Sequence, residues 1–322
     1  MQQPHKPIPI TEIYAAQKRI AHLVTRTPLI RLNADGAPAE IYLKLENLQP
    51  VCSFKIRGAS NAISLAKRDQ LSKGVFTASA GNMAQGVAWN ARRLGIPCTI
   101  VVPDSAPETK LAAITRLGAS LVKVPYDEWW NVMITRRYPP LEGAMFIHPS
   151  SDPRVMAGNG TIGLEILEDL PDVDAILIPY GSGGLSSGIG CAVRALKPDT
   201  KLYACEVETD APVAASLAAG APQAVSYTPS FVDGIGAKSL LQEMWPLVSS
   251  LLDGSLVVSL AEIAAAIRLL MERNRVVAEG AGAAPVAAAL AGKAGKGKIA
   301  CVVSGGNIDS AKLVKILQGE IP

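Results

Sequence analysis

Short apolar runs of strand length alternate with helical stretches along most of the chain, and this alternation limits the possible folds more than any other feature. We predict strands at 41–46, 74–79, 97–103, 119–125, 173–180, 200–208 and 298–307, the last of which ends in a glycine loop. We predict helices at 11–25, 60–71, 83–95, 108–118, 161–170 and 260–274, and one that follows a glycine-rich turn within 181–196. Strands joined through helices of about 10 to 15 residues predict an α/β fold, with parallel sheets flanked by helices.

The strands and helices form two separate series, which predicts two domains. We expect a small domain at 71–149 and a discontinuous large domain at 1–70 plus 150–322, with the break in the stretch 143–153. In such folds ligands bind at the carboxyl ends of the strands. Three loops of glycine and polar residues follow predicted strands, namely SAGN at 79–82, GSGGL at 181–185 and SGGN at 304–307.

The composition narrows the class of protein. Hydrophobic residues make up 49% of the chain and aromatic residues 5%, so Ala, Val, Ile and Leu must build the core. The net charge of +3 is spread along the chain instead of forming a basic patch, which argues against a nucleic-acid partner. The N-terminus lacks the apolar segment of a secretory signal, and no apolar run approaches the length of a membrane span. Five widely spaced cysteines indicate buried thiols, so we expect a cytoplasmic protein without a membrane partner.

The GSGGL loop is the clearest ligand signal. Successive backbone amides at a helix N-terminus can hold an anion, although a tight turn that needs glycine would leave the same pattern. The spacing matches neither the dinucleotide fingerprint nor the Walker A motif, which favours a single phosphate over a pyrophosphate.

Lys55 follows Phe54 in QPVCSFKIRGASNA and is either a surface charge beside a helix start or a nucleophile. A lysine amine, a glycine loop for phosphate and polar loops for a planar ring are the parts of a pyridoxal-phosphate site. Spacing alone leaves both interpretations open.

Two further groups are weaker candidates. His148 lies beside the domain break, where a packed or capping role is favoured over catalysis. Glu206, Glu208 and Asp210 at a strand end are either oxygen ligands for a cation or solvated carboxylates.

Five segments resemble one family in order, from about residue 12 to 318. They are LENLQPVCSFKIRGASNA, SAGNMAQGVA, AGNGTIGLEI, PYGSGGLSSGI and VVSGGNID. They are similar to fold-type II pyridoxal-phosphate enzymes, specifically the serine/threonine dehydratase (threonine ammonia-lyase) and serine racemase group. The resemblance implies a two-domain fold like that of tryptophan synthase β, with pyridoxal 5'-phosphate in the interdomain cleft. It also implies a small amino-acid substrate and a homo-oligomer, a dimer or tetramer.

The resemblance also implies residue roles. Lys55 would be the Schiff-base lysine and proton shuttle, Phe54 would pack by the cofactor ring, and Ser304 would face the pyridine nitrogen. The phosphate would be bound by the backbone of Gly181, Ser182, Gly183, Gly184 and Leu185. Asn82 would hydrogen-bond the phenolic oxygen. The substrate would meet Ser79, Ala80, Asn82, Met83 and Gln85.

The implied reaction converts a β-hydroxy-α-amino acid, of the L-threonine or L-serine type, to a 2-oxo acid and ammonia. It proceeds by α-proton abstraction and β-elimination. Alternatives are a dehydratase for L-threo-3-phenylserine or 3-hydroxyaspartate, a serine racemase, and a non-catalytic protein that binds the cofactor.

Departures from the group's pattern bear on the substrate. Racemases usually carry a second serine where this chain has Ala80, so a proton donor on the opposite face is missing and dehydration is favoured. Met83 stands in place of the usual histidine, and Trp129 and Trp130 lie in a region that lines the cleft in relatives. Met83 and the two tryptophans indicate a bulkier substrate side chain. Alternatively, the tryptophans pack under the small domain.

Three other residues depart from the group's pattern. Val51 and Cys52 replace the usual Thr-Gly, which adds bulk beside Lys55; Cys52 is either a packing residue or a modifiable thiol. Asn159 stands where glutamine is common.

The resemblance does not decide whether the protein binds a monovalent or divalent cation. Racemase-like members hold a metal with a strand-end glutamate and an aspartate six residues later. Glu206 matches the first position, but Pro212 occupies the second. We expect no regulatory domain after Gly319 and no feedback inhibition by isoleucine.

Overall fold

The computed structural model describes residues 3–322, whose strands form two sheets. The strands are β1 (Leu29–Arg31), β2 (Glu40–Leu45), β3 (Val75–Ala78), β4 (Cys98–Pro103), β5 (Ser120–Val124), β6 (Met145–Phe146), β7 (Ala175–Pro179), β8 (Lys201–Val207), β9 (Gly254–Val258) and β10 (Lys298–Val303). The larger sheet has the order β1-β2-β10-β7-β8-β9 and is parallel except for β1, which pairs antiparallel with β2. The smaller sheet, β5-β4-β3-β6, is parallel throughout. The predicted α/β class is confirmed.

Helices cover both faces of the larger sheet. They are α1 (Ile10–Ile20), α2 (Lys55–Ser64), α3 (Arg68–Leu71), α4 (Asn82–Leu94), α5 (Glu108–Arg116), α6 (Tyr126–Thr135), α7 (Pro153–Asp169), α8 (Gly184–Leu196), α9 (Pro212–Ala219), α10 (Trp245–Leu251), α11 (Leu260–Leu269), α12 (Gly280–Leu290) and α13 (Ser310–Leu317). Alternate residues of β7 and β10 pack into two different apolar clusters, one with α7 and α8 and one with α11 and α12. Strands that are buried on both faces are continuously apolar, so the positions predicted for these strands agree with the observed ones.

The smaller sheet lies within 75–146, and the larger sheet is built from strands before and after that segment. We therefore propose the division predicted above, a small domain at 71–149 within a large domain of 1–70 plus 150–322. Among residues 3–322, no helix has both the length and the apolar composition that crossing a membrane requires.

Several helix predictions were wrong at their ends, and the helix predicted at 11–25 already ends at Ile20. The helix predicted at 60–71 begins at Lys55 and is broken into α2 and α3, because Lys67 is extended. The helix predicted at 161–170 begins at Pro153, where the Asp152 side chain accepts a hydrogen bond from the Arg154 amide at 2.9 Å. An N-cap aspartate followed by proline is a helix start that the sequence did contain.

Other elements were missed because they lack periodicity or length. Helix α12, GAGAAPVAAAL, is buried from Gly280 to Ala289, so no polar face marks it. Strands β1 and β6 have three and two residues. The helix predicted at 260–274 is α-helical only to Leu269. A single wider, π-helical turn follows from Leu270 to Asn274, and Arg275 after it has a left-handed backbone with φ of 58°.

Four charged side chains form a buried cluster between β2, α2 and α7. Arg57 donates to Glu46 at 2.8 Å and to Glu165 at 2.6 and 2.8 Å, and Lys44 pairs with Glu165 at 2.6 Å. Burial alone would raise the pKa of Glu46, but the charge and hydrogen bonds of Arg57 outweigh it and hold that pKa below its usual range. Arg57 and Glu46 therefore form a buried ion pair, and the cluster ties the start of α2 to its neighbours.

We predict that Arg57→Met lowers the free energy of unfolding by about 3–5 kcal/mol, because buried Glu46 loses its ion-pair partner and Glu165 keeps only Lys44. Urea unfolding measures the loss. The matched control is Arg26→Met, since Arg26 is 49% exposed and pairs with Glu168 and Asp169 at the surface. Its change should stay below about 1 kcal/mol. Equal losses in the two variants would contradict the assigned role of Arg57.

Candidate active site

A cavity of about 450 Å³ lies at the carboxyl ends of strands from both sheets. It is lined by residues that follow β3, β4, β7 and β10. Parallel α/β folds bind ligands at this edge. The predicted convergence of the SAGN, GSGGL and SGGN loops is therefore found.

The cavity brings together most of the predicted site residues. They are Phe54, Lys55, Ser79, Ala80, Asn82, Met83, Gly181, Ser182, Gly183, Gly184, Leu185 and Ser304. Gln85 is different, because it lines a neighbouring cavity of about 230 Å³. Gln85 is one helical turn beyond Gly81, whose carbonyl accepts its backbone amide at 3.3 Å.

Lys55 is the first residue of α2 and faces this cavity. Its Nζ donates to the carbonyl of Pro149 at 2.8 Å and lies 5.1 Å from the centre of the Phe54 ring. Burial lowers the pKa of Lys55 to about 8, against the opposing charge of Glu279. A substantial neutral fraction therefore exists at mildly alkaline pH, as a nucleophile or a base requires.

The glycine loop connects β7 to α8 and leaves room for an anion. Gly183 has φ of 90°, in the left-handed region that favours glycine. A Cβ on Gly184 would lie 2.7 Å from Ser150 Cα, so a side chain has no space there. The loop carbonyl of Gly184 is held by Asn159 Nδ2 at 3.2 Å. Free amides at the start of a 13-residue helix fit a phosphate group.

Sequence reasoning missed Glu279, a buried carboxylate in the cavity wall. Asn82 Nδ2 donates to Glu279 Oε1 at 2.8 Å, while Asn82 Oδ1 accepts from Asn307 Nδ2 at 2.8 Å. Burial first, and Asp233 second, raise the pKa of Glu279 to about 7. A Cβ on Gly305 would lie 2.6 Å from Glu279 Oε1, so the glycine makes this approach possible. The one available signal was an acidic residue directly before an apolar helix.

His148 has a structural role. Its Nδ1 accepts the backbone amides of Ser150 and Ser151 at 3.1 and 2.8 Å. Burial and the charge of Arg136 lower the pKa of His148 to about 3, so the ring is neutral. The capping role favoured from the sequence agrees with this geometry, and the histidine fixes the turn whose Pro149 carbonyl contacts Lys55.

Part of the cavity wall is apolar. Met83 is buried in the core of the smaller sheet and also lines the cavity. Trp129 lines it too, and its ring centre lies 5.5 Å from that of Tyr126. Trp130 is 40% exposed and its ring centre lies 6.1 Å from that of Trp129, but only Trp129 lines the cavity.

Val51 and Cys52 lie outside the cavity lining. Cys52 is exposed with φ of 54°, and its carbonyl accepts the Gly306 amide at 2.9 Å. The expectation that all five thiols are buried was therefore wrong at Cys52, where the left-handed backbone turns the side chain outward. The other four are buried and free.

The carboxylates after β8 have other partners. Glu206 accepts the amides of Val213 and Ala214 at 2.8 and 2.9 Å, and the Ser255 hydroxyl at 2.6 Å. It thereby caps α9 with both oxygens. Within residues 3–322, no group of three His, Cys, Asp or Glu side chains could hold a metal ion. The cation left open at Glu206 gains no support from this arrangement.

A family profile described as pyridoxal-phosphate dependent enzyme matches residues 20–305. The chain belongs to this family. The predicted family and cofactor are thus confirmed, and the glycine loop, the lysine amine and the polar residues around them fit that cofactor.

Known members of the pyridoxal-phosphate family are similar along nearly the whole chain. An L-threonine ammonia-lyase from Thermotoga maritima is 42% identical over 315 residues, which cover 96% of this chain and 78% of the relative. The structure of maize serine racemase has a TM-score of 0.89 at 34% identity, and 98% of each chain is covered. The structure of a threonine deaminase from T.th. has a TM-score of 0.85 at 35% identity, with 94% and 99% covered. The fold is therefore of the predicted type II.

We predict that the apo-protein captures pyridoxal phosphate at a rate that rises with pH around a midpoint of about 8, because the neutral Lys55 amine is the reacting form. Glu279→Gln should move the midpoint downward, since the Glu279 charge favours the protonated lysine. Stopped-flow absorbance of the lysine–cofactor imine measures this rate.

The control for that experiment is Glu272→Gln, an exposed side chain paired with Arg268, which should leave the midpoint unchanged. A wild-type midpoint near 10.5, the ordinary value for lysine, would contradict the assigned environment of Lys55.

Proposed function

We propose that this protein is a pyridoxal-phosphate-dependent ammonia-lyase that converts L-threonine, L-serine or a similar β-hydroxy-α-amino acid to a 2-oxo acid and ammonia. One observation carries the proposal. The Lys55 amine, with its lowered pKa, lies in the same cavity as the glycine loop, Asn82 and Ser304. A protein that only binds the cofactor does not need a lysine amine whose pKa is lowered toward neutrality inside the cavity.

The relatives agree with this reaction. Those named L-threonine ammonia-lyase and threonine deaminase cover most of the chain at 42% and 35% identity. Their names do not favour a dehydratase specialised for phenylserine or hydroxyaspartate.

Lys55 Nζ is the base that the site provides for the substrate α-proton. When bound, the cofactor withdraws electrons from the α-carbon and so makes that proton acidic. The Pro149 carbonyl, 2.8 Å from Nζ, holds the amine at the cavity wall. Because Lys55 has a pKa of about 8, it can accept the proton and release it again near neutral pH.

The start of α4 is the proposed carboxylate site for the substrate. Ser79, Gly81 and Asn82 line the cavity directly before or at the first turn of this 13-residue helix. Free helix amides and a hydroxyl bind a carboxylate well. Gln85 is left out of this site, because it faces the neighbouring cavity.

Ala80 supports elimination over racemisation. It lines the cavity with a methyl group where a racemase needs a second acid or base. Proton transfer is then confined to the face served by Lys55.

We also propose a cytoplasmic location and assembly into a dimer or tetramer. Five free cysteines fit a reducing compartment. The oligomer rests on the family resemblance, and light scattering of the purified protein measures it.

We predict that Lys55→Ala lowers turnover of L-threonine and L-serine by at least about 10³-fold, because the base and the covalent anchor are lost together. The assay follows 2-oxo acid and ammonia from L-serine, L-threonine, phenylserine and 3-hydroxyaspartate, with and without K⁺ or Mg²⁺. Lys123→Ala, at an exposed lysine paired with Glu108, is the control. Full activity in Lys55→Ala would refute the proposed function.

A second prediction concerns the opposite face of the substrate. Ala80→Ser should allow formation of D-serine from L-serine, which chiral chromatography detects against an undetectable wild-type level. Ala84→Ser, at a buried position of α4 outside the cavity lining, serves as a control for a new hydroxyl in the same segment. If Ala80→Ser forms no D-serine, a missing acid is not what separates this protein from a racemase.

A further inference from the structure

Ser150 carries a buried hydroxyl without a hydrogen-bond partner among residues 3–322. The residue is 2% exposed and lines the main cavity. A buried hydroxyl that lacks a partner costs stability, so native proteins rarely keep one unless a ligand satisfies it. The hydroxyl of Ser150 therefore indicates a ligand group in this part of the cavity.

The position of Ser150 identifies which part of the cavity this is. A Cβ on Gly184 would lie 2.7 Å from Ser150 Cα and 3.0 Å from Ser150 Cβ, so Ser150 packs directly against the first residue of α8. Its backbone cannot move away easily, because the His148 ring accepts its amide at 3.1 Å. Ser150 thus stands over the glycine loop, where free amides face the cavity.

The neighbouring serine hydroxyl is already engaged. Ser186 also lines the cavity, but its Oγ donates to the Gly183 carbonyl at 3.1 Å. A phosphate held by the loop amides would therefore find the Ser150 hydroxyl uncommitted, next to the first residue of α8.

We propose that Ser150 Oγ donates a hydrogen bond to the phosphate of the cofactor and acts as a positioning residue. This inference rests on the placement of the phosphate on the glycine loop. It gives the turn 148–151 two functions, because the adjacent Pro149 carbonyl holds Lys55 Nζ at 2.8 Å. One rigid turn then fixes the cofactor at its phosphate and positions the lysine at its other end.

The test compares Ser150→Ala with Ser187→Ala. Ser187 is also buried, lies three residues beyond Gly184, and has an Oγ without a partner among residues 3–322, but it is absent from the cavity lining. Apo-protein of each variant is titrated with pyridoxal 5'-phosphate and with pyridoxal, which lacks the phosphate. The ³¹P resonance of the bound cofactor is recorded by NMR.

We expect Ser150→Ala to weaken binding of pyridoxal 5'-phosphate about tenfold, as for loss of one hydrogen bond to a charged group. Binding of pyridoxal should change less than about twofold, and the ³¹P resonance should shift. Neither apo-protein should melt at a lower temperature than wild type, because an alanine replaces an unpartnered hydroxyl. Ser187→Ala should bind both compounds as wild type does.

Three results would overturn the inference. They are an unchanged affinity and ³¹P resonance in Ser150→Ala, an equal loss for pyridoxal and its phosphate, and an equal loss in Ser187→Ala. A separate variant, Gly183→Ala, tests the placement of the phosphate itself, because φ of 90° disfavours a side chain there and none of the nearest atoms to its Cβ belongs to Ser150. If Gly183→Ala binds pyridoxal 5'-phosphate normally, the placement on the loop fails, whatever Ser150 does.

Discussion

The site depends on the buried guanidinium of Arg57, two residues beyond Lys55. Arg57 is held between Glu46 and Glu165, so α2 cannot rotate or slide without separating buried charges. An arginine stays charged at any physiological pH, and its charge and hydrogen bonds hold the pKa of Glu46 below its usual range despite burial. Because Lys55 begins the same helix, its amine inherits this fixed position. Much of the precision with which the Lys55 amine is placed thus comes from a neighbour that is absent from the cavity lining.

The turn from His148 to Ser151 is the second fixed point. It follows β6 of the smaller sheet and leads into α7, which packs against α2 and α8 in the larger part of the molecule. A neutral histidine closes the turn through backbone amides, so its geometry does not change when the pH varies near neutrality. The lysine and the glycine loop are therefore held in register at the point where the chain passes between the two sheets.

The sequence predicted those parts of the structure that depend on interactions between residues close along the chain. The continuously apolar strands, the glycine loop and the lysine were all recognisable, since each is determined by residues close along the chain. Glu279 was missed because it meets Asn82 across 197 positions, and nothing near it in sequence indicates that contact. Helix α12 was missed because complete burial removes the polar face that periodicity requires. The sequence left the role of the two tryptophans open, and only Trp129 reaches the cavity.

Cys52 gives this protein a practical property. Its left-handed backbone turns the thiol into solvent, while the other four thiols are buried. Burial raises the pKa of Cys98 to about 12 and raises the pKa of Cys191, Cys205 and Cys301 as well, which suppresses their reactivity. A maleimide dye would therefore attach to the natural chain at one place, three residues before Lys55. Energy transfer between that dye and the cofactor would then follow ligand binding without any engineered cysteine.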